Sequence, residues 1–444
     1  MRLAQSCGLW DLVRQRVRPP TDKGSNAAGK VATVVGGMLT GADSIEDLDV
    51  VRHAGMRLLF GGVYAPSTLG SFLRVFSHGH VRQLQAVSRQ FLVRLAGRVP
   101  LLPGADAVTF VDVDSLLRRV YGKQKQGAGF AHAKVGGYRV RLRGLNPLVA
   151  TVSTPDAAPV IAATRLRSGN AASVRGAGSL VAEAIGTAKA VLAAKATEPA
   201  AVIVVRADSV FYARKVIGAC RRARVRFSVA IRVDAKVRKA IEAIPDDAWV
   251  EIAYPQPIWD DEQQRWVSRA QIAETAYTAF EGTREQVTAR LVVRRIPDLN
   301  TTVVDGQGEL FPVWRYHAAF ADSPFPLVQA EAQHRGHAVI EHVFAELIDG
   351  PLAHLPSGDF NANNAWLTCL AIAHNLTRAA ASLTGLAYAT ARAATIRRQL
   401  INVAGRVAHH ARTLTIHLPA QWPWQRPWLR LFATAHAPPT SPST

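Results

Sequence analysis

The 444-residue sequence predicts an α/β protein in which a helical amino-terminal region and a helical carboxyl-terminal region flank a sheet with a β-rich insertion. Two changes of pattern support this prediction. Apolar residues are spaced three and four apart before about residue 105, two apart beyond it, and three and four apart again after about residue 326. With 48% hydrophobic and 19% charged residues, the chain can bury the cores of two or three domains.

The first helical region covers residues 30–97, where apolar residues recur at helical spacing. Ser67 follows Pro66 and precedes an apolar run, so we expect it to be the N-cap of a helix. Gly97 is the expected end of the last helix in this region.

Strands are expected next. Between about residues 105 and 165, short β-like runs separated by glycines predict an antiparallel meander. A helix from about Gly176 to Ala196, an apolar strand, a second helix and a second strand then predict a βαβ unit. Residues 245–305 are rich in Pro, Trp and polar residues, and they form the expected β-rich insertion. The segment "APPTSPST" predicts disorder.

Positive charge is the main compositional signal, since 53 Lys and Arg against 33 Asp and Glu give a net charge of +20. The excess is clustered: residues 118–143 hold eight Lys or Arg and no acid, and residues 214–239 hold ten beside one acid. Such patches attract polyanions and bind nucleic acid through its phosphates. The alternative is a solvated basic surface on an Ala- and Arg-rich protein.

Targeting and redox signals are few. Residues 1–20 lack the apolar core of a signal peptide, and no run of about eighteen residues is both uncharged and strongly apolar. The three cysteines are widely spaced, as expected in a reducing compartment. We therefore expect a cytoplasmic, nucleoid-associated protein with no membrane partner.

Basic side chains also mark the amino-terminal helices. Arg74 and Arg82 lie on amphipathic segments and are candidates for contact with DNA. Helices that only pack against the rest of the protein can carry the same pattern, so both interpretations stay open.

The stretch "TFVDVDSLL" places two carboxylates, Asp112 and Asp114, inside an apolar run. Residues two apart on a strand point to the same side, so the two acids are expected to share one face. Two like charges on one face favour a bound cation. A surface strand whose acids face water, or an acid that caps a turn, would explain them equally well.

Two further acids occupy positions of interest. Asp208 stands where an apolar strand gives way to a helix, the place where α/β folds put their chemistry, although it could also be a helix N-cap. Glu341 lies on an otherwise apolar helical stripe together with His334 and His337. A half-exposed Glu341 paired with His337 is the alternative.

Asp114, Asp208 and Glu341 together, on a meander strand, at a strand end and on a later helix, suggest a ribonuclease-H-like core. In such a core, carboxylates converge on two divalent ions about 3.5–4 Å apart, which activate a water or a 3′-hydroxyl. Magnesium suits ligation by oxygen alone, and manganese is the expected substitute.

These motifs resemble those of insertion-sequence transposases of the Asp-Asp-Glu type, in the actinobacterial branch. The resemblance covers about residues 22–385 and is carried by segments such as "FVDVDS", "RLRSGNAASVRGA", "RADSVFY" and "HRGHAVIEHVFAEL". It implies binding of terminal inverted repeats, cleavage at the ends of the element and strand transfer into target DNA. The implied partner is double-stranded DNA, bound by a homodimer.

Carried over by position, the resemblance makes Asp114, Asp208 and Glu341 the catalytic and metal-binding carboxylates, with Asp112 as the alternative first carboxylate. Relatives often place phosphate-binding side chains around the last Glu; the corresponding candidates for DNA contact are His334, Arg335 and His337. Two positions depart from the family pattern: Ile348 replaces a lysine, and Leu116 replaces a hydroxyl residue.

Relatives also handle the flipped base of a hairpin intermediate in the β-rich insertion. Trp259 and Trp266 are candidates to stack on such a base. The alternative, that Trp249, Trp259 and Trp266 pack a small β-domain, is favoured for each one.

Two other functions stay open: a ribonuclease-H-like nuclease without strand transfer, and a catalytically impaired DNA-binding relic of a transposase. The expected domains are a helical DNA-binding domain, the first part of the core, the β-rich insertion, the second part of the core and a basic tail, at residues 1–100, 101–240, 241–308, 309–390 and 391–444.

Overall fold

The computed structural model describes residues 1–19, 22–135, 138–195, 201–260, 265–297 and 314–437. The α-helices are Arg2–Ser6 (α1), Leu9–Arg16 (α2), Ala27–Thr40 (α3), Met56–Leu59 (α4), Pro66–Arg74 (α5), His78–Arg98 (α6), Ala177–Ala194 (α7), Arg214–Ala223 (α8), Ala235–Glu242 (α9), Leu327–Arg335 (α10), Val339–Ile348 (α11), Phe360–Thr384 (α12), Leu386–Ala389 (α13), Ala393–Ile396 (α14) and Gln425–His436 (α15). The strands are Val108–Ser115 (β1), Arg118–Arg119 (β2), Gly129–Val135 (β3), Tyr138–Thr154 (β4), Ala157–Ser168 (β5), Val202–Ala207 (β6), Arg226–Ile231 (β7), Val250–Asp260 (β8), Arg265–Ala279 (β9), Val287–Pro297 (β10), Trp314–Ala321 (β11), Arg406–His410 (β12) and Thr413–His417 (β13).

A large mixed sheet forms the centre of the molecule. Its middle has the order β5-β4-β1-β6-β7, in which β1, β6 and β7 are parallel and β4 and β5 are antiparallel to their neighbours. The predicted βαβ unit is present as β6, α8 and β7. The predicted antiparallel meander is present in part: β1, β4 and β5 pair antiparallel, but β4 is one continuous strand, Tyr138–Thr154, and contains two of the short runs expected as separate strands. This mixed α/β arrangement is compatible with the expected ribonuclease-H-like core.

The Pro- and Trp-rich segment adds its strands to the same sheet. They continue it in the order β7-β11-β10-β9-β8, with every pair antiparallel. Trp249 packs against Tyr316 and lies beneath the guanidinium of Arg295, as the packing interpretation predicts. Trp259 and Trp266 face each other across β8 and β9, but their side chains lie outside the described residues. The division of the chain into domains stays a prediction.

Helix α12 joins the amino-terminal helices to the sheet. It packs against α3 and α6 on one side and β5 on the other, within one hydrophobic core that runs from Leu3 to Ala379. Its buried Asn375 accepts a hydrogen bond from the N–H of Ile161, at 2.7 Å, and donates one to the carbonyl of the same residue, at 2.9 Å. Because β5 has a strand neighbour on only one side among the described residues, this amide satisfies backbone groups that would otherwise be buried without partners.

The amino-terminal helices differ from the expected boundaries in one respect. Helix α5 begins at Pro66, with Ala65 as its N-cap, so the prediction that Ser67 caps it is wrong. Proline is favoured at the first helical position because its missing N–H has no partner there and its φ is already helical. Helix α6 ends at Arg98, one residue beyond the expected Gly97.

One carboxylate connects α6, α7 and β5. The carboxylate of Glu183 on α7 forms ion pairs with Arg82 at 2.6 Å, Arg89 at 3.2 Å and Arg165 at 2.7 Å.

Among the described residues, α7 is the one helix long and apolar enough to cross a membrane, and half of it is buried inside the protein. The three arginines on Glu183 fit a helix of the protein core.

A buried ion cluster fixes β1, β6 and the helices that follow the sheet. Asp112 lies opposite Arg206 in the parallel register of β1 and β6. Its two oxygens accept hydrogen bonds from Nε and Nη2 of Arg206, both at 2.7 Å, and its Oδ1 is 2.9 Å from Nδ1 of His337. The side chain of Asp112 is completely buried and that of Arg206 is 4% exposed.

The same arginine determines the shape of the segment between α10 and α11. Its Nη1 donates to the carbonyl of Gln333 at 2.6 Å and would lie only 2.7 Å from a Cβ at Gly336. A side chain at Gly336 would therefore displace Arg206. The glycine begins a short 3₁₀ turn, Gly336–Ala338, which brings His337 to Asp112.

The charges of the cluster compensate one another. Burial by itself raises the pKa of the Asp112 carboxyl, but Arg206 and His337 outweigh this effect and hold the pKa below its ordinary value. Burial also lowers the pKa of His337, and the hydrogen bond and charge of Asp112 raise it above its ordinary value. Removing one member would leave an uncompensated charge in the core.

We therefore expect Asp112→Asn and Arg206→Met each to lower the free energy of unfolding by about 3–5 kcal/mol, because the first leaves the buried Arg206 without a carboxylate and the second removes two hydrogen bonds and the main counter-charge of the buried Asp112. The double variant should lose less than the sum of the two, since it removes both charges. Denaturant titration of the variants measures this.

Asp156→Asn is the matched control, because this carboxylate is exposed in the turn between β4 and β5; we expect it to change stability by no more than about 0.5 kcal/mol. If Asp112→Asn lowered the free energy of unfolding as little as Asp156→Asn does, the buried cluster would not be an important constraint on the fold.

Candidate active site

Asp114 is the last residue but one of β1, at the edge of the sheet where the parallel strands end. Its side chain is half-buried, and its Oδ1 accepts a hydrogen bond from the N–H of Ser115 at 2.6 Å. Asp112, two residues earlier, lies on the same side of the strand. The two acids have different surroundings, because Arg206 and His337 enclose Asp112 while Asp114 borders the edge.

Asp208 directly follows β6, the neighbour of β1. Val113 pairs with Ala207 across the two parallel strands, so Asp114 and Asp208 stand at adjacent strand ends, where neighbouring strands lie about 4.8 Å apart. Asp208 occupies the N-cap position of a 3₁₀ turn, but its side chain makes no capping hydrogen bond. Its carboxylate is 64% exposed.

Glu341 lies in the first turn of α11, and its side chain is exposed. The helical stripe predicted for this segment is interrupted, because α10 ends at Arg335 and a 3₁₀ turn precedes α11. His337, the partner of Glu341 in the alternative interpretation, contacts Asp112 through Nδ1, and its Nε2 lies 3.8 Å from Oδ1 of Asp208.

The three acids influence one another electrostatically. The pKa of Asp114 is raised to about 6, first by burial and then by the negative charges of Asp208 and Glu341. The hydrogen bond from the Ser115 N–H and the charge of His337 oppose this rise. The site therefore concentrates negative charge that a cation would relieve.

The described side chains do not form a complete metal-binding group as they stand. Among the described residues, no three His, Cys, Asp or Glu side chains lie close enough to hold one ion. The donor chemistry of Asp114, Asp208 and Glu341 nevertheless suits a hard cation, since all three are carboxylates.

A cavity of about 540 Å³ opens beside the acids, and its wall includes Asp208 and Glu341. Arg232, Arg294 and Arg335 line the same cavity. A larger cavity of about 740 Å³ elsewhere has none of the three acids in its wall. The smaller one therefore combines carboxylates with cationic side chains, which is the chemistry that a phosphodiester needs.

Two of the predicted DNA-contact residues near the acids have partners inside the protein. His334 lies with Nδ1 2.9 Å from the Ser228 hydroxyl, and burial lowers its pKa to about 3. Its ring is therefore neutral at pH 7 and offers no positive charge to a phosphate. Arg335 donates to Glu331 at 3.0 Å. Their role in DNA binding, like that of His337, stays a prediction.

The predicted contacts on the amino-terminal helices are also separate from the acids. Arg82 binds Glu183, which favours the packing interpretation for this side chain. Arg74 is exposed at the end of α5 and donates to the Ser71 hydroxyl at 3.2 Å. The structure does not bring either arginine to the three carboxylates.

The sequence interpretation missed two arginines. Arg206 could have been found, because a charged residue inside "VIVVRADS" is as unusual as Asp112 inside its own apolar run. Arg167 of β5 is buried, donates to Oδ1 of Asn146 at 2.8 Å and to the carbonyl of Ser173 at 2.6 Å, and lies near enough to Asp114 to feel its charge. Burial lowers its pKa to about 10, and Asp114 opposes this.

Comparison with known proteins shows to which family the chain belongs. Residues 32–437 match the family model described as the transposase DDE domain, group 1. No curated protein matches the chain. The match covers most of the sequence and includes Asp114, Asp208 and Glu341. The chain thus belongs to the transposase DDE domain group 1 family.

Proposed function

We propose that this protein is a DNA transposase that cleaves the ends of an insertion sequence and transfers them to target DNA, with Asp114, Asp208 and Glu341 as its catalytic carboxylates. One observation carries the proposal: Asp114 and Asp208 stand at the ends of adjacent parallel strands, and Glu341 is near enough to raise the pKa of Asp114. The family supports the same class of reaction.

Magnesium, or manganese in its place, is the proposed cofactor, because carboxylate oxygens are the ligands it prefers. When bound as two ions, it supplies activation of a water or 3′-hydroxyl and stabilisation of the leaving oxygen. The concentrated negative charge around Asp114 supports a cation at this edge. The exposed side chains of Asp208 and Glu341 would have to turn toward Asp114 to complete the ligand set.

Asp112 is proposed as a positioning residue in place of the alternative first carboxylate. Its oxygens are occupied by Arg206 and His337, and its side chain is completely buried. His337 in turn lies beside the Asp208 carboxylate, with 3.8 Å between Nε2 and Oδ1. The buried cluster thus supports the strand end that carries Asp208.

Double-stranded DNA is the proposed partner, both as terminal inverted repeats and as target. The net charge of +20 supports binding through phosphates. We also propose that the protein acts as a homodimer in the DNA complex and that it is a nucleoid-associated protein of the cytoplasm.

Asp114→Asn, Asp208→Asn and Glu341→Gln should each reduce cleavage of end DNA by about three orders of magnitude or more. The reason is that a lost ligand removes an ion, which costs more than one lost transition-state hydrogen bond. Binding of DNA should survive, because cationic side chains elsewhere contact the phosphates. Incubation of labelled end DNA with Mg²⁺, scored for nicks, hairpins and joined products, measures this.

Asp156→Asn, at the opposite edge of the sheet, is the control and should cleave normally. Near-normal cleavage by Asp208→Asn or Glu341→Gln would show that the three acids are assigned incorrectly. Nicks without joined products from the unchanged protein would favour a nuclease, and binding without any nick would favour an impaired relic.

The metal-free protein should also lose stability as pH rises. The ordinary pKa of an Asp is about 3.9, whereas that of folded Asp114 is about 6, so the folded state holds this proton more tightly. The resulting stabilisation is fully present below about pH 4 and is lost as pH rises through 6. Urea titrations in a chelating buffer should show Asp114→Asn gaining about 1–3 kcal/mol over the unchanged protein between pH 4 and 7.

A pH-independent difference between Asp114→Asn and the unchanged protein would contradict this account. Asp156→Asn, measured over the same range, controls for removal of a carboxylate in general.

Magnesium should stabilise the unchanged protein at pH 7, because a ligand that binds only the folded state shifts the unfolding equilibrium. Thermal melts should shift upward with Mg²⁺ concentration for the unchanged protein and for Asp156→Asn, and should not shift for Asp114→Asn. Equal shifts in all three proteins would place the metal elsewhere.

A further inference from the structure

A two-stranded β-hairpin, β3 and the first half of β4, projects beyond the rest of the sheet. We call residues 129–135 and 138–144 the basic hairpin. Its register pairs Phe130 with Arg143 and His132 with Arg141, so these side chains share one face. Arg139 joins them, because it alternates with Arg141 along β4. Phe130, His132, Arg139 and Arg141 are exposed.

The cations of this face differ from those in the protein core. In the core, Arg82, Arg206 and Arg378 each contact a buried or half-buried carboxylate. Within the described part of the chain, no carboxylate pairs with Arg139 or Arg141, and residues 118–143 contain no acid. The positive charge of the basic hairpin is therefore not neutralised locally.

Aromatic rings hold some of these cations in place. The guanidinium of Arg141 lies 5.0 Å from the ring centre of Phe130, and that of Arg119 lies 4.9 Å from the ring centre of Tyr121. Arg143 donates to the carbonyl of Gly122 at 2.6 Å, which fastens the preceding loop to the hairpin. Together these residues border an open groove of about 520 Å³.

The basic hairpin extends from the same edge of the sheet as the catalytic carboxylates. Asp114 pairs with Val149 in the antiparallel register of β1 and β4, and β4 then continues back beyond the end of β1. Arg143 and Arg139 precede Val149 by six and ten residues. At about 3.3 Å per residue they lie roughly 20–33 Å from that pair along the strand, a distance of about 6–10 base pairs of duplex.

We propose that the basic hairpin binds the phosphate backbone of the duplex DNA whose end lies at the three carboxylates. This inference rests on the proposed function and adds the location of a second contact to it. Phosphates are the charge partners that the hairpin lacks within the protein, and rings beneath guanidiniums reduce the entropy lost when those cations bind. Contacts with phosphates give affinity that is independent of base sequence and sensitive to salt.

The test compares Arg139→Gln/Arg141→Gln with the unchanged full-length protein, using a labelled random-sequence duplex of about 40 base pairs over a range of salt concentrations. Loss of two phosphate contacts should reduce the slope of log affinity against log salt by about 2 and weaken binding about 30-fold near 0.15 M salt.

Lys189→Gln/Arg284→Gln is the matched control, because neither residue belongs to the two basic blocks of the sequence. Lys189 of α7 donates to the carbonyl of Ala223 just before β7, and Arg284 lies in the turn between β9 and β10, so both exposed cations stand at the sheet edge opposite the carboxylates. This variant removes the same charge, and we expect its salt slope to match that of the unchanged protein. Thermal melts of both variants verify that they fold.

Equal salt slopes for the two double variants would overturn the hairpin inference while leaving the proposed function intact. Failure of the unchanged protein to bind duplex DNA at low salt would overturn both. A change of oligomeric state in Arg139→Gln/Arg141→Gln, without a change in salt slope, would show that a second copy of the chain docks on the hairpin, and would also overturn the inference.

Discussion

The buried contact between Asp112 and Arg206 is the constraint on which the site depends. It joins two adjacent parallel strands close to their carboxyl ends, so that Asp114 near the end of β1 and Asp208 directly after β6 reach the edge beside each other. The same arginine requires Gly336, and its partner Asp112 holds His337 inward. A buried ion pair thereby fixes strand register and the start of the helix that carries Glu341.

The described arginines differ in their partners. Several that connect elements of the fold contact carboxylates, as Arg82, Arg89 and Arg165 contact Glu183. On the basic hairpin, Arg141 lies against an aromatic ring and Arg143 donates to a backbone carbonyl, so neither charge is neutralised by these contacts. A high net charge is therefore compatible with a compact core, because the excess lies where an external polyanion can neutralise it.

Sequence patterns were sufficient for the antiparallel pairing of the first strands, for the βαβ unit and for the elements that carry the three acids, because period and local charge are properties of neighbouring residues. They did not predict that the strands of the β-rich insertion join the main sheet through β11. They also gave no decision between packing and DNA contact for Arg82, since Glu183 lies 101 residues away in the chain. Long-range partners leave no periodic signal.

The stretch "TFVDVDSLL" shows what the sequence by itself determined and what it did not. Alternation along a strand determined that Asp112 and Asp114 share one side, and left open whether they bind a cation or face water. Only the tertiary structure decided which acid receives which partner: Arg206 and His337 enclose Asp112, and Asp114, two residues later, borders the open edge with Asp208. The physical reason is that the burial of a charge depends on residues about 94 and 225 positions away, which only the folded sheet brings together.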